Sequence, residues 1–353
     1  MLKITPYLRV AVERQASDLY VAAGAVPMLR IEGRLIPVGE RVLDANTTAH
    51  MAEEVMTPEQ TATFEMHSQV DFASQAGGLG RFRVNVFKSR GHVSMVWRYV
   101  RDSIATLDEL GLPPVLKDLV MARRGLVLMV GATGSGKSTT LAAMIDHRNE
   151  RSAGHVLTIE DPIEFLHAHK RAIINQREIG EDAPSYAMAL QASMREAADV
   201  ILIGEVRDRE TMEALLQLAN TGHLAISTLH ANNAYQTLQR ISNMFPAERR
   251  DQLRMDLSLN LRAVISQRLV PTKDERRTAA VEVMINTPFI ADLILTGRYN
   301  EIRDAMTSSS TPGMQTFDDS LFALHQQGRI SMEEALDYAD SRANLESRIN
   351  FGS

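Results

Sequence analysis

The chain has 353 residues, of which 44% are hydrophobic and 23% charged, and its formal net charge is −6. This composition is typical of a globular protein with room for two domains, and the acidic balance argues against a general nucleic-acid binder. The absence of cysteine excludes disulfides and thiolate metal sites. Because no apolar run is long enough to span a bilayer and no signal-peptide pattern is present, we expect a cytoplasmic protein without direct membrane insertion, unless a partner holds it at a membrane.

The first hundred residues mix short strands and helices. Residues 26–38 alternate between apolar and polar positions and predict a β-hairpin. Residues 81–87 alternate strictly, and residues 93–99 are rich in β-forming side chains, so we predict two further strands that carry arginines on one face. Together these elements indicate a small α+β domain over residues 1–100.

Two sequence patterns mark helix beginnings. Thr57 is followed by Gln60, and Ser331 by Glu334, in the spacing of a capping box. Each pair predicts that a helix begins directly after its hydroxyl residue.

We predict a linker over residues 101–111, and the hydrophobic pattern of the sequence changes after it. Near-continuous apolar runs then alternate with helical segments; the runs cover residues 125–130, 155–159, 200–203 and 224–228. Such runs separated by helices are typical of a parallel sheet with both faces covered. We therefore predict a second, α/β domain over residues 112–353.

A phosphate-binding motif directly follows the first of these apolar runs. The pattern GxxxxGK(S/T) is matched between a buried strand and a helix, and the predicted nucleotide-binding residues are Gly131, Ala132, Thr133, Gly134, Ser135, Gly136, Lys137, Ser138 and Thr139. Lys137 is expected to reach the β- and γ-phosphates, and Ser138 to hold Mg²⁺. The alternative is a glycine-rich turn without a ligand, but the full pattern in this position favours ATP.

Carboxylates follow two other predicted strands. Glu205 ends the run 200–203 and is expected to act on Mg²⁺, directly or through water, or on the attacking water. Glu160 follows the run 155–159 and is our candidate for orienting that water. Asp161 is an alternative turn residue beside Pro162.

Histidines and arginines are weaker candidates. His223 and His230 flank the run 224–228, where a histidine could sense a γ-phosphate, although position alone favours a structural role. Transition-state charge usually requires an arginine. Arg83 and Arg98 are in the first domain, so their use would place the site between subunits of a ring; otherwise they form ordinary ion pairs.

Several stretches together resemble one protein family. They include GRFRVN, RGLVLMVGATGSGKSTTLAAMI, TIEDPIEF, DVILIGEVRDRETM and TGHLAISTLHANNA. In these motifs the chain resembles the PilT/PilU branch of the type II/IV secretion ATPases, over nearly its whole length. The resemblance implies a PAS-like N-terminal domain, a RecA-like P-loop NTPase core, and a homohexameric ring with nucleotide at the interdomain cleft.

The resemblance also implies roles for individual residues. Glu160 matches the water-activating acid of the family, His223 and His230 lie in its His box, and Arg83 and Arg98 match its inter-subunit arginines. The implied activity is ATP hydrolysis that drives type IV pilus retraction and twitching motility.

One departure from the family pattern bears on the partners. Residues 289–296 lack the two arginines of the corresponding segment in PilT-type motors. This favours a PilU-type, accessory member that assists a PilT-type retraction ATPase at an inner-membrane pilus platform protein, with peripheral association at that membrane. Two alternatives stay open: an ATP-binding adaptor with little activity of its own, and a nucleic-acid motor.

Overall fold

The computed structural model describes residues 2–31, 33–75, 78–100 and 103–351. Its internal contacts divide these residues into two units. The first comprises the described residues up to Ser103 together with Glu164–Leu166, and the second comprises Ile104–Ile163 and the described residues from His167 onward.

The first unit is an antiparallel sheet with three helices. Its helices are α1 (Thr5–Glu13), α2 (Ala45–Glu53) and α3 (Pro58–His67). Its strands are β1 (Asp18–Ala22), β2 (Met28–Ile31), β3 (Arg34–Pro37), β4 (Gln69–Gln75), β5 (Arg81–Ser89) and β6 (His92–Val100), in the sheet order β3-β2-β1-β6-β5-β4.

Alternation along β5 and β6 builds the core of this unit. Phe82, Val84 and Val86 point inward from β5, and the buried Trp97 of β6 meets Phe82 edge-on with ring centroids 5.9 Å apart. The hairpin and both strands predicted here are confirmed, and so is the capping box of Thr57 at the start of α3.

The second unit alternates strands and helices. Its strands are β7 (Gly125–Val130), β8 (Gly154–Glu160), β9 (Ala172–Glu178), β10 (Val200–Ile203), β11 (Leu224–Leu229), β12 (Leu261–Pro271) and β13 (Arg277–Ile285). Its α-helices are α4 (Val115–Met121), α5 (Lys137–Arg151), α6 (Tyr186–Ser193), α7 (Arg209–Asn220), α8 (Ala234–Met244), α9 (Arg250–Asn260), α10 (Pro288–Leu295), α11 (Ile302–Thr307), α12 (Phe317–Gln326), α13 (Met332–Asp337) and α14 (Arg342–Phe351), with 3-10 turns at Ala247–Arg249 and Tyr299–Glu301.

The sheet of this unit has the order β13-β12-β7-β11-β10-β8-β9, and its strands are parallel except for β13. Every residue of β7, β10 and β11 is buried. Leu126 and Leu128 pack into one hydrophobic cluster, whereas Val127 and Met129 pack into another. Successive side chains point to opposite faces, so both faces are covered, as predicted.

The predicted linker, 101–111, is only partly described, since residues 101 and 102 lie outside the described ranges. Thr106 and Glu109 bond reciprocally, backbone N–H to side chain, but they close a turn, and α4 begins later, at Val115. Leu107 is buried in a cluster of the second unit. The predicted domain limits stay a prediction.

Among the helices within the described ranges, none combines the length and apolar character that a membrane crossing requires.

Candidate nucleotide-binding and catalytic site

The loop after β7 needs glycine at two positions for reasons of space. Gly131 has a φ of +151°, and a Cβ there would lie 2.5 Å from the carbonyl oxygen of Gln267. Gly136 has a φ of +87°, and a Cβ there would lie 2.7 Å from the Gln267 side-chain nitrogen. Both distances are below any real Cβ contact, so the sequence folds into a tight loop directly against β12.

Lys137 is the first residue of α5 and reaches back over this loop. Its Nζ donates to the carbonyl oxygens of Gly131 and Ala132, each at 2.9 Å. The ammonium group therefore lies at the loop, beside the backbone N–H groups at the start of the helix, where positive potential is concentrated.

The residues present fit a nucleoside triphosphate. The two glycine positions form a cradle that a Cβ would fill, and the first turn of α5 adds the partly exposed hydroxyls of Ser138 and Thr139. Thr133 and Gly134 are exposed at the tip of the loop, and the buried Ser135 hydroxyl has no hydrogen-bond partner among the described residues. Such a set of donors suits phosphate oxygens.

Gln267 of β12 supports the loop, and no sequence pattern had identified it. The residue is 3% exposed. Its Nε2 donates to the carbonyl oxygen of Ser135 at 2.7 Å, and its Oε1 accepts from the Thr140 hydroxyl at 2.8 Å. A polar residue inside the apolar run of β12 was the available signal, because a buried amide requires partners.

Glu205 lies at the end of β10 with a partner on each carboxylate oxygen. Nε2 of His230, directly after β11, is 3.0 Å from Oε1, and Nε of Arg207 donates to Oε2 at 2.8 Å. Arg207 also reaches Asp161 at 3.4 Å. The bond to Glu205 raises the pKa of the Arg207 guanidinium. These contacts fix Glu205 at the edge of the sheet that carries the loop after β7.

Glu160 ends β8, the strand beside β10. Its Oε1 accepts from the Thr158 hydroxyl at 2.6 Å and from the Gln176 amide at 3.3 Å. Gly204, which precedes Glu205, is so close that a Cβ on it would lie 3.4 Å from the Glu160 Cα. The two predicted carboxylates therefore emerge from adjacent strands at the same edge.

Tyr186, at the start of α6, lies among these carboxylates and was also missed. A Cβ built on Gly204 would meet its hydroxyl at 3.0 Å. Burial raises the pKa of Tyr186, and the charge of Asp161 raises it further, so the phenol stays protonated and can donate a hydrogen bond. No local sequence pattern links α6 to the end of β10.

The direction of β11 separates His223 from the other predicted site residues. His223 precedes β11, and its carbonyl oxygen accepts from the backbone N–H of Gly125, where β7 begins. It thus lies at the far end of the sheet, about 20 Å from the loop after β7 for strands of six residues. Its Nδ1 lies 3.1 Å from both the Thr221 hydroxyl and the Leu218 carbonyl, which is the structural role that its position favoured.

The two predicted arginines face each other in the first unit. Arg83 of β5 and Arg98 of β6 are direct cross-strand partners, and both are exposed. Nε of Arg98 donates at 2.8 Å to Asp18, whose side chain is only 3% exposed. Like charges placed directly opposite each other are unfavourable. An anion bound between the two guanidinium groups would therefore stabilise this arrangement.

Within the described ranges, no group of three or more His, Cys, Asp or Glu side chains could hold a metal ion. A magnesium ion needs no such group when phosphate oxygens and water supply most of its ligands. The hydroxyl of Ser138 and the carboxylate of Glu205 are the protein groups that fit this mode.

The parallel sheet, the loop at its edge and the carboxylates beside that loop define a P-loop ATPase with a RecA-like core, which confirms the predicted α/β class. The chain belongs to the family of type II/IV secretion system proteins, whose model matches residues 2–346.

Relatives agree with this placement. PilU, a type IV pilus ATPase of Pseudomonas aeruginosa, is 49% identical over 98% of this chain and 91% of its own length. PilT, a type IV pilus retraction ATPase of the same organism, is 40% identical over 98% of this chain and 100% of its length. The crystal structure of a PilT retraction motor with bound ADP superposes with a TM-score of 0.91 at 40% identity, covering 98% of this chain and 99% of that one. The predicted resemblance to the PilT/PilU branch is confirmed.

Proposed function

We propose that this protein hydrolyses ATP to drive, or to assist a PilT-type motor in, type IV pilus retraction and twitching motility. The observation that carries the enzymatic part is the common edge of the sheet in the second unit, along which the Lys137 loop, Glu160 and Glu205 lie. The pilus assignment rests on the 49% identity to PilU along nearly the whole chain.

Each residue has a role that follows from its surroundings. The backbone N–H groups of the loop and the Lys137 ammonium bind the β- and γ-phosphates. Glu160, oriented through the bonds to its Oε1, positions the attacking water and accepts its proton. Ser138 and, directly or through water, Glu205 would hold a Mg²⁺ ion, which would supply charge neutralisation.

The surroundings of Glu205 suit it to holding Mg²⁺ rather than to abstracting a proton from water. Both of its oxygens already contact cationic or polar nitrogens, from Arg207 and His230. Carboxylate oxygens that already contact two side chains are not free to accept a proton from a water molecule. We therefore assign the base to Glu160.

The position of the two arginines supports the proposal of a ring in which one subunit completes the site of the next. Arg83 and Arg98 form an exposed like-charge pair, of which Arg98 is paired with Asp18. The developing negative charge on a γ-phosphate would stabilise that pair. Arginine is the usual source of the positive charge that balances it in the transition state. A homohexamer at the cytoplasmic face of the inner membrane, peripherally bound through a pilus platform protein, accommodates this use.

ATP turnover by a Lys137→Ala variant tests the enzymatic proposal. Lys117, a partly exposed lysine paired with Asp108 in the same unit, provides the matched control as Lys117→Ala. We expect turnover to fall at least about a hundredfold in the first variant and to stay near wild type in the second. Equal turnover of Lys137→Ala and wild type would remove the loop from the mechanism.

Mixing inactive variants tests the shared site. If Arg83 of one subunit serves the Lys137 loop of its neighbour, then mixed rings of Arg83→Ala and Lys137→Ala subunits contain some intact sites. Mixing should restore a fraction of turnover, whereas sites completed within one subunit would leave the mixture inactive.

The biological assignment has its own test. Deletion of the gene should leave surface pili in place and abolish or reduce twitching, as expected for retraction. Cells without pili would indicate extension instead. An ATP-binding adaptor would appear as a purified ring that binds ATP but never hydrolyses it, and DNA-stimulated turnover would indicate a nucleic-acid motor.

A further inference from the structure

One face of β9 changes from apolar to polar at the end of the strand that lies beside Glu160. The buried Ala172 and Ile174 are followed on the same face by the partly buried Gln176 and the buried Glu178. Ala172 and Ile174 share a hydrophobic cluster with residues of α5, the helix that Lys137 begins. Polar side chains in such a position require hydrogen-bond partners, and those of Gln176 connect it to the catalytic edge.

The register of the sheet places Gln176 next to the Glu160 carboxylate. β8 and β9 are parallel, and Thr158 lies opposite Gln176. Nε2 of Gln176 donates to Oε1 of Glu160 at 3.3 Å, and the Thr158 hydroxyl donates to the same oxygen at 2.6 Å. Because these two donors come from different strands and converge on one oxygen, turning the carboxylate away from this orientation would weaken both bonds.

The other end of the Gln176 amide holds the backbone. Its Oε1 accepts from the backbone N–H of His167 at 2.8 Å. His167 is the residue at which the chain returns to the second unit after Glu164–Leu166, which belong to the first. Before this segment, the backbone N–H of Ile163 donates to Oε2 of Glu178 at 3.1 Å, so β9 secures the chain on both sides of it. Since an amide group is planar, the bond at Oε1 also fixes the direction in which Nε2 points.

We propose that Gln176 is a positioning residue for ATP hydrolysis, which holds the Glu160 carboxylate in the orientation in which it meets the attacking water. The proposal rests on the function proposed above, in which Glu160 is the base, and identifies a side chain on which that base depends. A general base must lie within hydrogen-bond reach of the proton that it accepts. A misplacement of about 1 Å can lower the rate about a hundredfold.

A purely structural role is the alternative. In that case Gln176 secures the backbone at His167, and its contact with Glu160 has no effect on turnover. The preceding residue, Asn175, provides the matched control, because it is also an amide of β9 that contacts a side chain of β8. Its Oδ1 lies 3.0 Å from Nε2 of His155. Since successive residues of a strand point to opposite faces, Asn175 makes this contact on the face away from Glu160.

Steady-state ATP turnover of the full chain, together with its affinity for a non-hydrolysable ATP analogue, tests the proposal. Gln176→Met keeps the length of the side chain and loses both hydrogen bonds. We expect kcat to fall about tenfold to a hundredfold, with KM and the Kd for the analogue within about twofold of wild type. Asn175→Met should keep kcat within about twofold of wild type, because the bonds to Glu160 remain.

Gln176→Glu separates the two ends of the amide and is informative even if Gln176→Met does not fold. It keeps an acceptor for the His167 N–H and loses the donor to Glu160. We expect kcat to fall at least about tenfold in this variant as well, whereas a role confined to the backbone predicts kcat near wild type.

A double-mutant cycle shows whether Gln176 acts through Glu160. In a Glu160→Gln background there is no base left to position, so Gln176→Met should change the residual turnover less than about twofold. A purely structural role would lower turnover by the same factor in both backgrounds.

Several results overturn the positioning role. They are a kcat of Gln176→Met close to wild type, an equal loss in Asn175→Met, and a loss of the same factor with and without Glu160→Gln. The proposed function fails separately. If Glu160→Gln or Lys137→Ala keeps wild-type turnover, the base or the loop is wrongly assigned, whatever the behaviour of Gln176.

Discussion

Nε2 of His230 lies 3.0 Å from Oε1 of Glu205, and the two residues follow neighbouring parallel strands. The contact joins the ends of β10 and β11 at the edge of the sheet that carries the Lys137 loop. The hydroxyl of Thr228, two residues before His230, reinforces this junction by donating to the Gly204 carbonyl at 2.6 Å. A change at the γ-phosphate that moved Glu205 would therefore also reach α8, which begins shortly after His230.

His230 and His223 form a natural pair for mutagenesis, because one is at this edge and the other at the opposite end of the same strand. We expect His230→Ala to lower kcat about tenfold to a hundredfold, since Glu205 loses a partner that fixes it. His223→Ala should leave kcat within about twofold and lower only Tm, since it removes bonds within a turn. Steady-state ATP turnover and thermal unfolding of both variants make the comparison. A loss of kcat in His223→Ala as large as in His230→Ala would contradict the assignment.

Gln267 and Gln315 form a second matched pair for mutagenesis. Its side-chain nitrogen donates to the Ser135 carbonyl at 2.7 Å, and that of Gln315 donates to the Val281 carbonyl at the same distance. Gln267→Leu should raise KM for ATP about tenfold, because the loop loses its support. Gln315→Leu should leave KM unchanged. Each variant should lose about 1–3 kcal/mol of stability, because a backbone carbonyl loses its partner. Equal KM values in the two variants would show that Gln267 acts only on stability.

Sequence patterns predicted the parts of this site that are local along the chain. Glu160 and Glu205 come at the ends of apolar strands, and Lys137 closes the loop that follows a third such strand, so spacing was sufficient to place them at one edge. Gln267 and Tyr186 could not be predicted in this way, because their partners are distant along the chain and meet them only when the strand order is known. The sequence could not separate His223 from His230, because both ends of β11 carry a histidine and only strand direction distinguishes them.

The secondary structure also divides into elements that the sequence predicted and elements that it did not. Fully buried strands such as β7 and β10 were predicted within a residue of their ends, because continuous apolar runs leave little ambiguity. β9 was missed, since exposed and buried residues alternate along it and its second half is polar. The β12–β13 hairpin was also missed, since buried polar residues such as Ser266 and Glu282 interrupt its apolar pattern.

The arginine pair of the first unit predicts a difference in stability between two similar substitutions. Among the residues that the structure describes, Arg98→Ala leaves the buried Asp18 with only Arg30, at 3.8 Å, as a cationic partner. We expect it to destabilise the protein by about 1–3 kcal/mol, less than for a fully buried pair because Arg98 is largely exposed. Arg83→Ala should cost less than about 0.5 kcal/mol or be stabilising, since it relieves a like-charge contact. Denaturant unfolding tests this, and Asp18→Asn in the Arg98→Ala background should recover part of the loss. Equal stabilities of the two single variants would contradict it.

Glu282 is a buried carboxylic acid behind the site. Its Oε1 accepts from the backbone N–H of Ala234, at the start of α8, at 2.8 Å and from the Ser266 hydroxyl at 2.9 Å. The pKa of Glu282 is raised from 4.5 to about 7. Burial is the main cause and Asp340 adds to it, whereas the two hydrogen bonds and Arg268 oppose the rise. The side chain therefore binds a proton in the folded protein over a pH range in which the unfolded chain has already lost it.

The raised pKa of Glu282 makes the stability of the protein depend on pH. Between about pH 4.5 and 7 the folded state binds more protons at Glu282 than the unfolded state, so its contribution to the free energy of unfolding falls as the pH rises and is constant above that range. Glu282→Gln cannot titrate, and its stability relative to wild type should increase by about 3 kcal/mol between pH 4.5 and pH 8. The exposed Glu275→Gln is the control. Urea unfolding of the three proteins across this range gives the differences, and a pH-independent difference for Glu282→Gln would show that the carboxyl group is already ionised in the fold at low pH.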